Sequence, residues 1–359
     1  MIITKEISKF LKVALSIIKK NAIVEGLFVC GTYMYAASAD RQVAIEVVNE
    51  EIAEPIVIPT KAVEYLLTFP IYTKTELIVK GTTLTVKNGK SRVKFTLIGA
   101  ETYPKKLEKE ENGFVFSAGA DIINTLKTVA VAGDYKSSKS IARSIHLLSF
   151  DNNLLAAATD GYKLASAVIP SAHYIGTDEI TVPIEHLALM SVFSNSSEDT
   201  IDFYFGHNKR AVMLVQGEIS LSMAMIESGS IEGVLRTVQL SKDGYSYRVN
   251  SDTIKDTMDK IALLATNDKN KCVKFTINGD SLSVTNVDSL NEYEQNISIT
   301  DNTGEKEAVI GLNYSHLREF MSNISDEEVQ VIYTTALKPV LMTVESRKID
   351  FLLMPYRIK

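Results

Sequence analysis

Residues 154–165 read Leu154-Leu155-Ala156-Ala157-Ala158-Thr159-Asp160-Gly161-Tyr162-Lys163-Leu164-Ala165, and the rest of the chain is organised around copies of their pattern. A segment of small and apolar residues runs into Thr159-Asp160-Gly161, and a second segment with alternating side chains follows at once. This pattern predicts two strands joined by a tight corner. Gly161 suits the corner because glycine adopts a positive φ without steric cost.

The same pattern occurs twice more, with an aspartate at each turn. One copy, Tyr35–Ile45, turns at Asp40, and the other, Leu282–Asp288, ends at Asp288. The three aspartates are 160 − 40 = 120 and 288 − 160 = 128 residues apart, which is the length of a typical domain. Because a chain of 359 residues is too long for one ordinary core, we predict three repeated domains. Their predicted bounds are 1–112, 113–240 and 241–359.

Each predicted domain has the order strand, helix, antiparallel strands, helix, strands. The first helix is predicted from apolar residues at helical spacing over Ile7–Ile18, with lysines between them. Thr60 is the predicted N-cap of the second helix, another helix is predicted at 184–193, and Asn250 or Ser251 is the cap of the first helix of the third domain. Each domain thus contains two half-units, each of them a strand, a helix and further strands. This arrangement predicts an α+β fold with the helices on one face of the sheets.

The composition, with 45% hydrophobic and 23% charged residues, is that of a soluble globular protein. No apolar run approaches the roughly 18 residues that span a bilayer, and Lys5 and Glu6 stand where a signal peptide needs apolar residues. We therefore expect a cytoplasmic protein that does not bind membranes. The formal net charge of −6 argues against holding nucleic acid by overall charge, so any such contact needs locally concentrated basic residues.

Signals for catalysis or metal binding are weak. Cys30 and Cys272 lack C-x-x-C spacing, and the chain has neither a G-x-x-x-x-G-K-[ST] loop nor a G-x-S-x-G elbow. The histidines are scattered without an H-x-x-x-H pair, at His146, His173, His186, His207 and His316. Asp160 is explained by turn geometry, so we predict no catalytic residue, metal or cofactor. A hydrolytic enzyme would be the alternative, with an activity abolished by Asp160→Asn.

Two motifs resemble the bacterial sliding clamp, the beta subunit of DNA polymerase III. Ala158–Ala165 looks like the family's Ala-Thr-Asp-Gly-His-Arg-Leu-Ala, and Leu353–Ile358 is similar to its ending Val-Met-Pro-Met-Arg-Leu. Thr181-Val182-Pro183 and Thr102–Leu107, where clamps carry Asp-Phe-Pro-Asn-Leu, add weaker support. The resemblance spans the whole chain, and its divergence would suit a clamp encoded by a phage or a mobile element.

The resemblance implies a mechanism without chemistry. Two copies would close head to tail into a six-domain ring around duplex DNA, with the helices inside and the sheets outside. A clamp loader driven by ATP would open the ring. The ring would then tether the replicative DNA polymerase, which raises the effective concentration of the primer end.

The family's partner proteins insert an extended peptide into an apolar cleft, and the resemblance carries that cleft onto both motifs. A methionine beside a proline gives an adaptable apolar wall, while an arginine or lysine at the rim can bind a peptide carboxylate. This chain departs from the family at Ser230-Ile231-Glu232-Gly233, where clamps have Phe-Pro-Asp-Tyr, and Met225 and Leu235 are candidates to fill the space. The predicted cleft residues are Thr159, Gly161, Tyr162, Lys163, Leu164, Leu352, Met354, Pro355, Tyr356 and Arg357.

Two further surfaces are implied by the resemblance. Leu263 and Leu264 would meet Tyr103 of a second copy across the dimer interface, although packing inside one domain is the more common fate of such residues. Sequence-independent contact with DNA phosphates would come from basic helix faces and loops. The predicted DNA-facing residues are Lys9, Lys12, Lys19, Lys20, Lys127, Lys136, Lys139, Arg143, Lys255 and Lys260.

A second function remains open from the sequence. A clamp-derived adaptor or decoy would keep the peptide cleft but would not encircle DNA. The two functions differ over Leu263, Leu264 and Tyr103, because only the ring needs the dimer interface.

Overall fold

A computed structural model describes residues 2–21, 25–47, 52, 54–150, 153–170, 179–196, 199–206, 209–264, 271–286, 291–304 and 307–358. Two compact units are present. The first unit comprises Met1–Ile123, Pro170–Gly176 and Glu185–Met225, and the second comprises Asn124–Ile169, Thr177–Ile184 and Ile226–Lys359. The three domains inferred from the repeat stay a prediction. Of the three aspartate corners, the one at Asp288 lies outside the described residues.

An eight-stranded antiparallel sheet forms the centre of the first unit, in the order β4-β1-β2-β3-β15-β14-β13-β8. Its strands are β1 Leu27–Cys30, β2 Tyr33–Ala37, β3 Arg41–Glu46, β4 Ile56–Ile58, β8 Lys109–Gly119, β13 Thr200–Gly206, β14 Ala211–Gln216 and β15 Ile219–Ala224. β3 pairs with β15 from Ile45↔Ile219 to Arg41↔Met223. The sheet therefore continues across the predicted domain boundary at 112, which explains why the compact units do not follow the repeat.

The first unit also contains a three-stranded sheet, whose strands are β5 Glu76–Lys80, β6 Thr83–Asn88 and β7 Ser91–Thr96. Its helices are α1 Lys5–Asn21 and α2 Thr60–Leu66. α1 buries Phe10, Leu11 and Ile17 on one face, as the amphipathic pattern predicts. Thr60 is not the N-cap of α2: it is the first helical residue, and Pro59 occupies the cap position without a side-chain hydrogen bond.

A second eight-stranded antiparallel sheet forms the centre of the second unit, in the order β12-β9-β10-β11-β23-β22-β21-β16. Its strands are β9 Ser144–Phe150, β10 Asn153–Thr159, β11 Lys163–Val168, β12 Ile180–Pro183, β16 Tyr245–Asn250, β21 Glu328–Tyr333, β22 Val340–Val344 and β23 Ile349–Leu353. β11 pairs with β23 so that Leu164 lies opposite Leu352 and Lys163 opposite Leu353. This pairing brings the two sequence motifs side by side.

The second unit also has a four-stranded sheet in the order β19-β18-β17-β20. Its strands are β17 Cys272–Asn278, β18 Ser281–Asn286, β19 Glu294–Ser298 and β20 Ala308–Asn313. The remaining α-helices of the described chain are α3 Ile122–Ala130, α4 Glu232–Leu240, α5 Ser251–Leu264 and α6 Tyr314–Met321. Asn250 caps α5 as predicted, because its Oδ1 accepts from the amides of Asp252 at 2.9 Å and Thr253 at 3.3 Å.

Two helices differ from the prediction. The segment expected at 184–193 is a 3₁₀ helix, Ile184–Val192, and α4 was not predicted at all. Shorter 3₁₀ helices are Ser140–Arg143 and Glu345–Arg347. The fold is α+β, as predicted, with antiparallel sheets. No helix in the described part of the chain is long and apolar enough to cross a membrane.

Candidate functional site

The corner between β10 and β11 is fixed by its own side chains. Thr159 donates its hydroxyl to the Lys163 carbonyl at 2.7 Å and accepts from the Gly161 amide at 3.1 Å. Asp160 Oδ1 accepts from the amides of Tyr162 at 2.8 Å and Lys163 at 3.0 Å. Gly161 has φ +92°, a conformation that other residues rarely adopt. The Asp160 carboxylate is therefore used by the turn, as the sequence predicts.

Lys163 is the most buried cation of the corner, with 7% of the residue exposed. Its ammonium donates to the Val131 carbonyl and lies 3.3 Å from Glu319 Oε2 and 3.9 Å from Asp160 Oδ2. The sequence suggested a cation at the rim that could bind a peptide carboxylate. In the structure the Lys163 ammonium instead ties the corner to the end of α3 and to α6, so only the rest of the residue lines the cleft.

A cavity of about 300 Å³ opens beside this corner. Leu164 and Leu352 form a buried floor, and the exposed Tyr162 and Met354 stand at its edge. Seven of the ten predicted cleft residues line it, namely Thr159, Gly161, Tyr162, Lys163, Leu164, Leu352 and Met354. An apolar floor with an exposed, adaptable rim is suited to an apolar side chain of a peptide.

Helix α4 supplies the wall that the sequence left uncertain. Val234 and Thr237 line the cavity, while Leu235 packs in one buried cluster with Leu164 and Leu352. Leu235 thus fills the space as suggested, whereas Met225 belongs to the first unit. The signal for α4 was available in the apolar spacing of Val234, Leu235 and Val238. The glycines and serines just before this segment obscured it.

Tyr356 and Arg357 do not line this cavity. They border a second one, of about 660 Å³, together with Ile358 and the exposed Leu337. The Tyr356 amide donates to the Gly311 carbonyl at 2.8 Å, and Asn313 Nδ2 donates to the Tyr356 hydroxyl at 3.3 Å. Pro355 lies half-buried in the chain between Met354 and Tyr356. The residues predicted for one cleft therefore line two cavities: seven line the first, and Tyr356 and Arg357 line the second.

The residues predicted for the dimer interface have different environments. Leu263, near the end of α5, is 86% exposed, and Leu264 is half-buried. Tyr103 is only 7% exposed. Its hydroxyl donates to the Gly26 carbonyl at 2.8 Å, and its ring lies 5.5 Å from that of Phe28. Burial raises the pKa of Tyr103 to about 12. Leu263 is thus accessible to a second copy, whereas Tyr103 has the packing within one unit that the sequence left open.

Several predicted DNA-facing lysines already have partners. Lys9 Nζ donates to the Phe193 carbonyl at 2.9 Å, and Lys19 forms an ion pair with Glu64. Lys255 Nζ lies 2.8 Å from Asp259 Oδ2. Lys139 borders the apolar cavity beside the corner.

Most of the other predicted DNA-facing residues have exposed side chains. Lys12, Lys127, Lys136 and Lys260 are exposed, and Arg143 is half-buried. The side chain of Lys20 lies outside the described residues.

A cluster of Asp40, Glu185 and His186 in the first unit has a composition that could hold a metal ion. Arg41 Nη1 lies 2.8 Å from His186 Nδ1, and His186 Nε2 lies 3.1 Å from Asp40 Oδ2. Because a guanidinium only donates, Nδ1 accepts and Nε2 carries the proton that it donates to Asp40. No ring nitrogen of His186 is left to bind a metal. Burial also holds the pKa of His186 below its usual range, so the cluster is a structural link.

Comparisons with known proteins agree with the motifs. Residues 242–357 match the family model described as DNA polymerase III beta subunit, C-terminal domain. The chain is 18% identical over 276 residues to the beta sliding clamp of Staphylococcus epidermidis, covering 76% of this chain and 71% of that protein. It is also 18% identical over 260 residues to the beta sliding clamp of Staphylococcus aureus, covering 72% and 67%.

Two solved structures have the same fold. The DNA polymerase III subunit beta from Pseudomonas aeruginosa has a TM-score of 0.84 at 17% identity, covering 99% of this chain and 98% of that one. A putative DNA polymerase III beta subunit from Eubacterium rectale has a TM-score of 0.83 at 14% identity, covering 99% of both chains. The resemblance drawn from the two motifs is confirmed.

Proposed function

We propose that this chain, a divergent relative of the bacterial sliding clamps, is a processivity factor for a DNA polymerase. Two copies close head to tail around duplex DNA, and a cleft beside the corner at residues 159–163 binds a segment of the replicative polymerase. The observation that carries the proposal is the cavity of about 300 Å³ formed where β11 and β23 pair. Two motifs nearly 200 residues apart in sequence meet there and form its floor.

The lining of the cleft defines what it binds. Leu164 and Leu352 offer an apolar floor, Val234 a helical wall, and Met354 an adaptable rim. The volume is at the lower end of the range for ligand pockets, which suits one or two apolar side chains of an extended peptide. The second cavity at Tyr356 and Arg357 receives the next residues of that peptide.

The ring rests on a different set of residues. Leu263 is a large apolar side chain left 86% exposed at the end of a helix, and burying it against a second copy is favourable. Leu264 supports it, and Tyr103 contributes mainly by fixing the packing of the opposing surface. A head-to-tail interface uses two different surfaces, so it stays soluble only when the ring closes.

DNA is held without chemistry or sequence readout. Exposed lysines attract the phosphates through salt-sensitive contacts, which allow the protein to slide. Two amides of the turn bond Asp160 Oδ1, which favours a structural role for this carboxylate over a catalytic one. Tethering makes rebinding of the polymerase intramolecular and so raises its effective concentration at the primer end. A clamp loader is required because a closed ring cannot thread onto circular DNA.

Encirclement is tested by topology. The protein is assembled with a clamp loader on nicked circular duplex DNA, separated from free protein by gel filtration, and divided in two. One half is cut once with a restriction enzyme. A ring slides off the cut DNA and stays on the uncut circle, whereas equal retention on both would contradict encirclement.

The interface is tested by Leu263→Glu, with Leu240→Glu as a matched control. Both leucines are exposed at helix ends, Leu263 by 86% and Leu240 by 78%. Sedimentation velocity should show that Leu263→Glu shifts the dimer to monomer and that Leu240→Glu does not. A dimer that survives Leu263→Glu would exclude this residue from the interface.

The alternative function, an adaptor or decoy that binds replication proteins without encircling DNA, is favoured by the burial of Tyr103. That burial reduces the apolar surface that a second copy can cover. The adaptor would sediment as a monomer and bind the same peptides. In the topology test, the amount of protein retained on circular DNA would equal the amount retained on cut DNA.

A further inference from the structure

Helix α1 presents a straight line of lysines. Positions 5, 9, 12, 16 and 19 are spaced by steps of four and three, so they follow one face of the helix over about 21 Å. They are Lys5, Lys9, Lys12, Ser16 and Lys19. The opposite face is buried through Phe10, Ala14 and Ile17 among others, so the lysine line faces away from the core. We call it the α1 stripe.

Helix α5 repeats this spacing with the opposite charge. Positions 252, 256, 259 and 263, again in steps of four and three, are Asp252, Asp256, Asp259 and Leu263. The other face of α5 is buried through Ile254, Met258 and Ile261. The outward line of this helix, the α5 stripe, is therefore acidic and ends in an exposed leucine.

The two lysines of α5 flank this stripe, and its aspartates partly offset their positive charge. Lys255 lies 2.8 Å from Asp259, and Arg318 of α6 bonds the other oxygen of the same carboxylate. The neighbouring carboxylate raises the pKa of Lys255. Over its whole length α5 has two lysines and three aspartates, a formal charge of 2 − 3 = −1.

Helix α1 keeps most of its charge. It contains five lysines and one glutamate, a formal charge of 5 − 1 = +4. Lys5 and Lys12 are exposed, and among the described residues neither has an ion-pair partner at the distances of a salt bridge. Lys9 donates to a neutral carbonyl, which leaves its charge in place. Only the end of the stripe is offset, where Lys19 pairs with Glu64.

We infer that duplex DNA is held by the α1 stripe and kept away from the α5 stripe. The ligand is the phosphodiester backbone, and its contacts are Lys5, Lys9, Lys12 and Lys19. Lys255 and Lys260, which the sequence places among the DNA-facing residues, add no net attraction because Asp252, Asp256 and Asp259 lie between them. This inference rests on the proposed function and divides its DNA contact unequally among the helices.

The range of the electrostatic field supports the division. At about 0.1 M salt the Debye length is about 10 Å. Each stripe therefore acts mainly on phosphates close to its own helix. A net charge of −6 for the chain does not prevent this local contact, for the same reason.

The test compares salt dependence between two matched double variants. Binding of a fluorescein-labelled duplex is followed by anisotropy between about 50 mM and about 200 mM KCl. Each lysine that no longer neutralises a phosphate lowers the magnitude of the slope of log K against log salt by about 0.9. Lys5→Gln with Lys12→Gln should lower that magnitude by about 1.8, while Lys255→Gln with Lys260→Gln should leave it unchanged. Circular dichroism confirms that both variants fold.

A gain of affinity is expected from the acidic side. Asp252→Asn with Asp256→Asn removes two negative charges but keeps the oxygen of Asp252 that accepts from the Asp326 amide at 3.1 Å. This variant should bind duplex DNA severalfold more tightly than the wild type at low salt. Unchanged affinity would overturn the repulsion that we assign to the α5 stripe.

The outcomes separate this inference from the proposed function. If the wild type does not bind the labelled duplex at low salt, the contact assigned to the α1 stripe fails, whereas the processivity function is judged separately by retention on circular DNA after loading. If the wild type binds and the lysine variant of α5 lowers the slope as much as that of α1, only the one-sided contact is overturned and the processivity function stands.

Discussion

Leu235→Ala tests whether α4 is an integral wall of the cleft. Leu235 is 2% exposed and packs with Leu164, Leu352 and Ile231. Truncating a leucine in such a position removes its transfer free energy and leaves a cavity, which together cost about 2–5 kcal/mol. Because strands of the main sheet and α4 both contact this side chain, we expect about 3 kcal/mol.

The control lies on the same helix. Leu240 is 78% exposed at the last position of α4, so Leu240→Ala changes helix propensity equally but removes little packing. It should change the free energy of unfolding by no more than about 0.5 kcal/mol. Urea unfolding is followed by circular dichroism, because the chain has no tryptophan.

Peptide binding supplies the second measurement. Val234 and Thr237 line the cavity, and Leu235 anchors the same helix to Leu164 and Leu352. Leu235→Ala should therefore weaken a peptide selected from a random library on the wild-type protein, and Leu240→Ala should not. If the two variants unfold at the same urea concentration and bind equally, α4 does not pack on the sheet and the cleft has another wall.

Three further predictions concern the same unit. Met354→Ala should weaken binding of the selected peptide about tenfold, the equivalent of about 1.4 kcal/mol, when the anisotropy of the fluorescein-labelled peptide is measured, and should leave the sedimentation coefficient unchanged; equal affinity would remove Met354 from the cleft. Burial holds the pKa of His316 at about 4, so the unfolded chain takes up this proton first and stability falls as the pH drops from 6.5 towards 4. His316→Gln should flatten that dependence in urea unfolding, and an unchanged profile would assign it to other groups. Gly311→Ala should release the C-terminal segment, because a Cβ there would meet the Tyr356 carbonyl oxygen at 2.7 Å and Ile358 at 2.9 Å; faster amide hydrogen exchange at 356–358 is the measurement, and unchanged exchange would contradict it.

Local features of the fold were predictable from the sequence. The corner at Asp160, the cap at Asn250 and the amphipathic face of α1 each depend on residues within a few positions of one another. Short-range hydrogen bonds and helical spacing determine such features, so the identities of neighbouring residues are enough to predict them. The cap of α2 failed because Thr60, although a good cap residue, is preceded by a proline that takes the cap position.

Long-range features were not predictable in the same way. The pairing of β3 with β15 joins positions nearly 180 residues apart, and no local pattern encodes a partner at that distance. The contacts of the Lys163 ammonium were unpredictable for the same reason. Its partners, the Val131 carbonyl and Glu319, come from the end of α3 and from α6, which lie far from the corner in sequence.

The cleft combines both kinds of information. Its residues could be named because the two motifs are compact, yet their meeting depends on the pairing of Leu164 with Leu352 across β11 and β23. Because the floor exists only when this pairing forms, an unfolded chain has no binding site for the peptide proposed to occupy the cleft. A peptide that binds only the folded chain stabilises it by about 2.7 kcal/mol at a concentration about one hundred times its Kd. Occupancy of the cleft and stability of the second unit are therefore linked by the same strand pair.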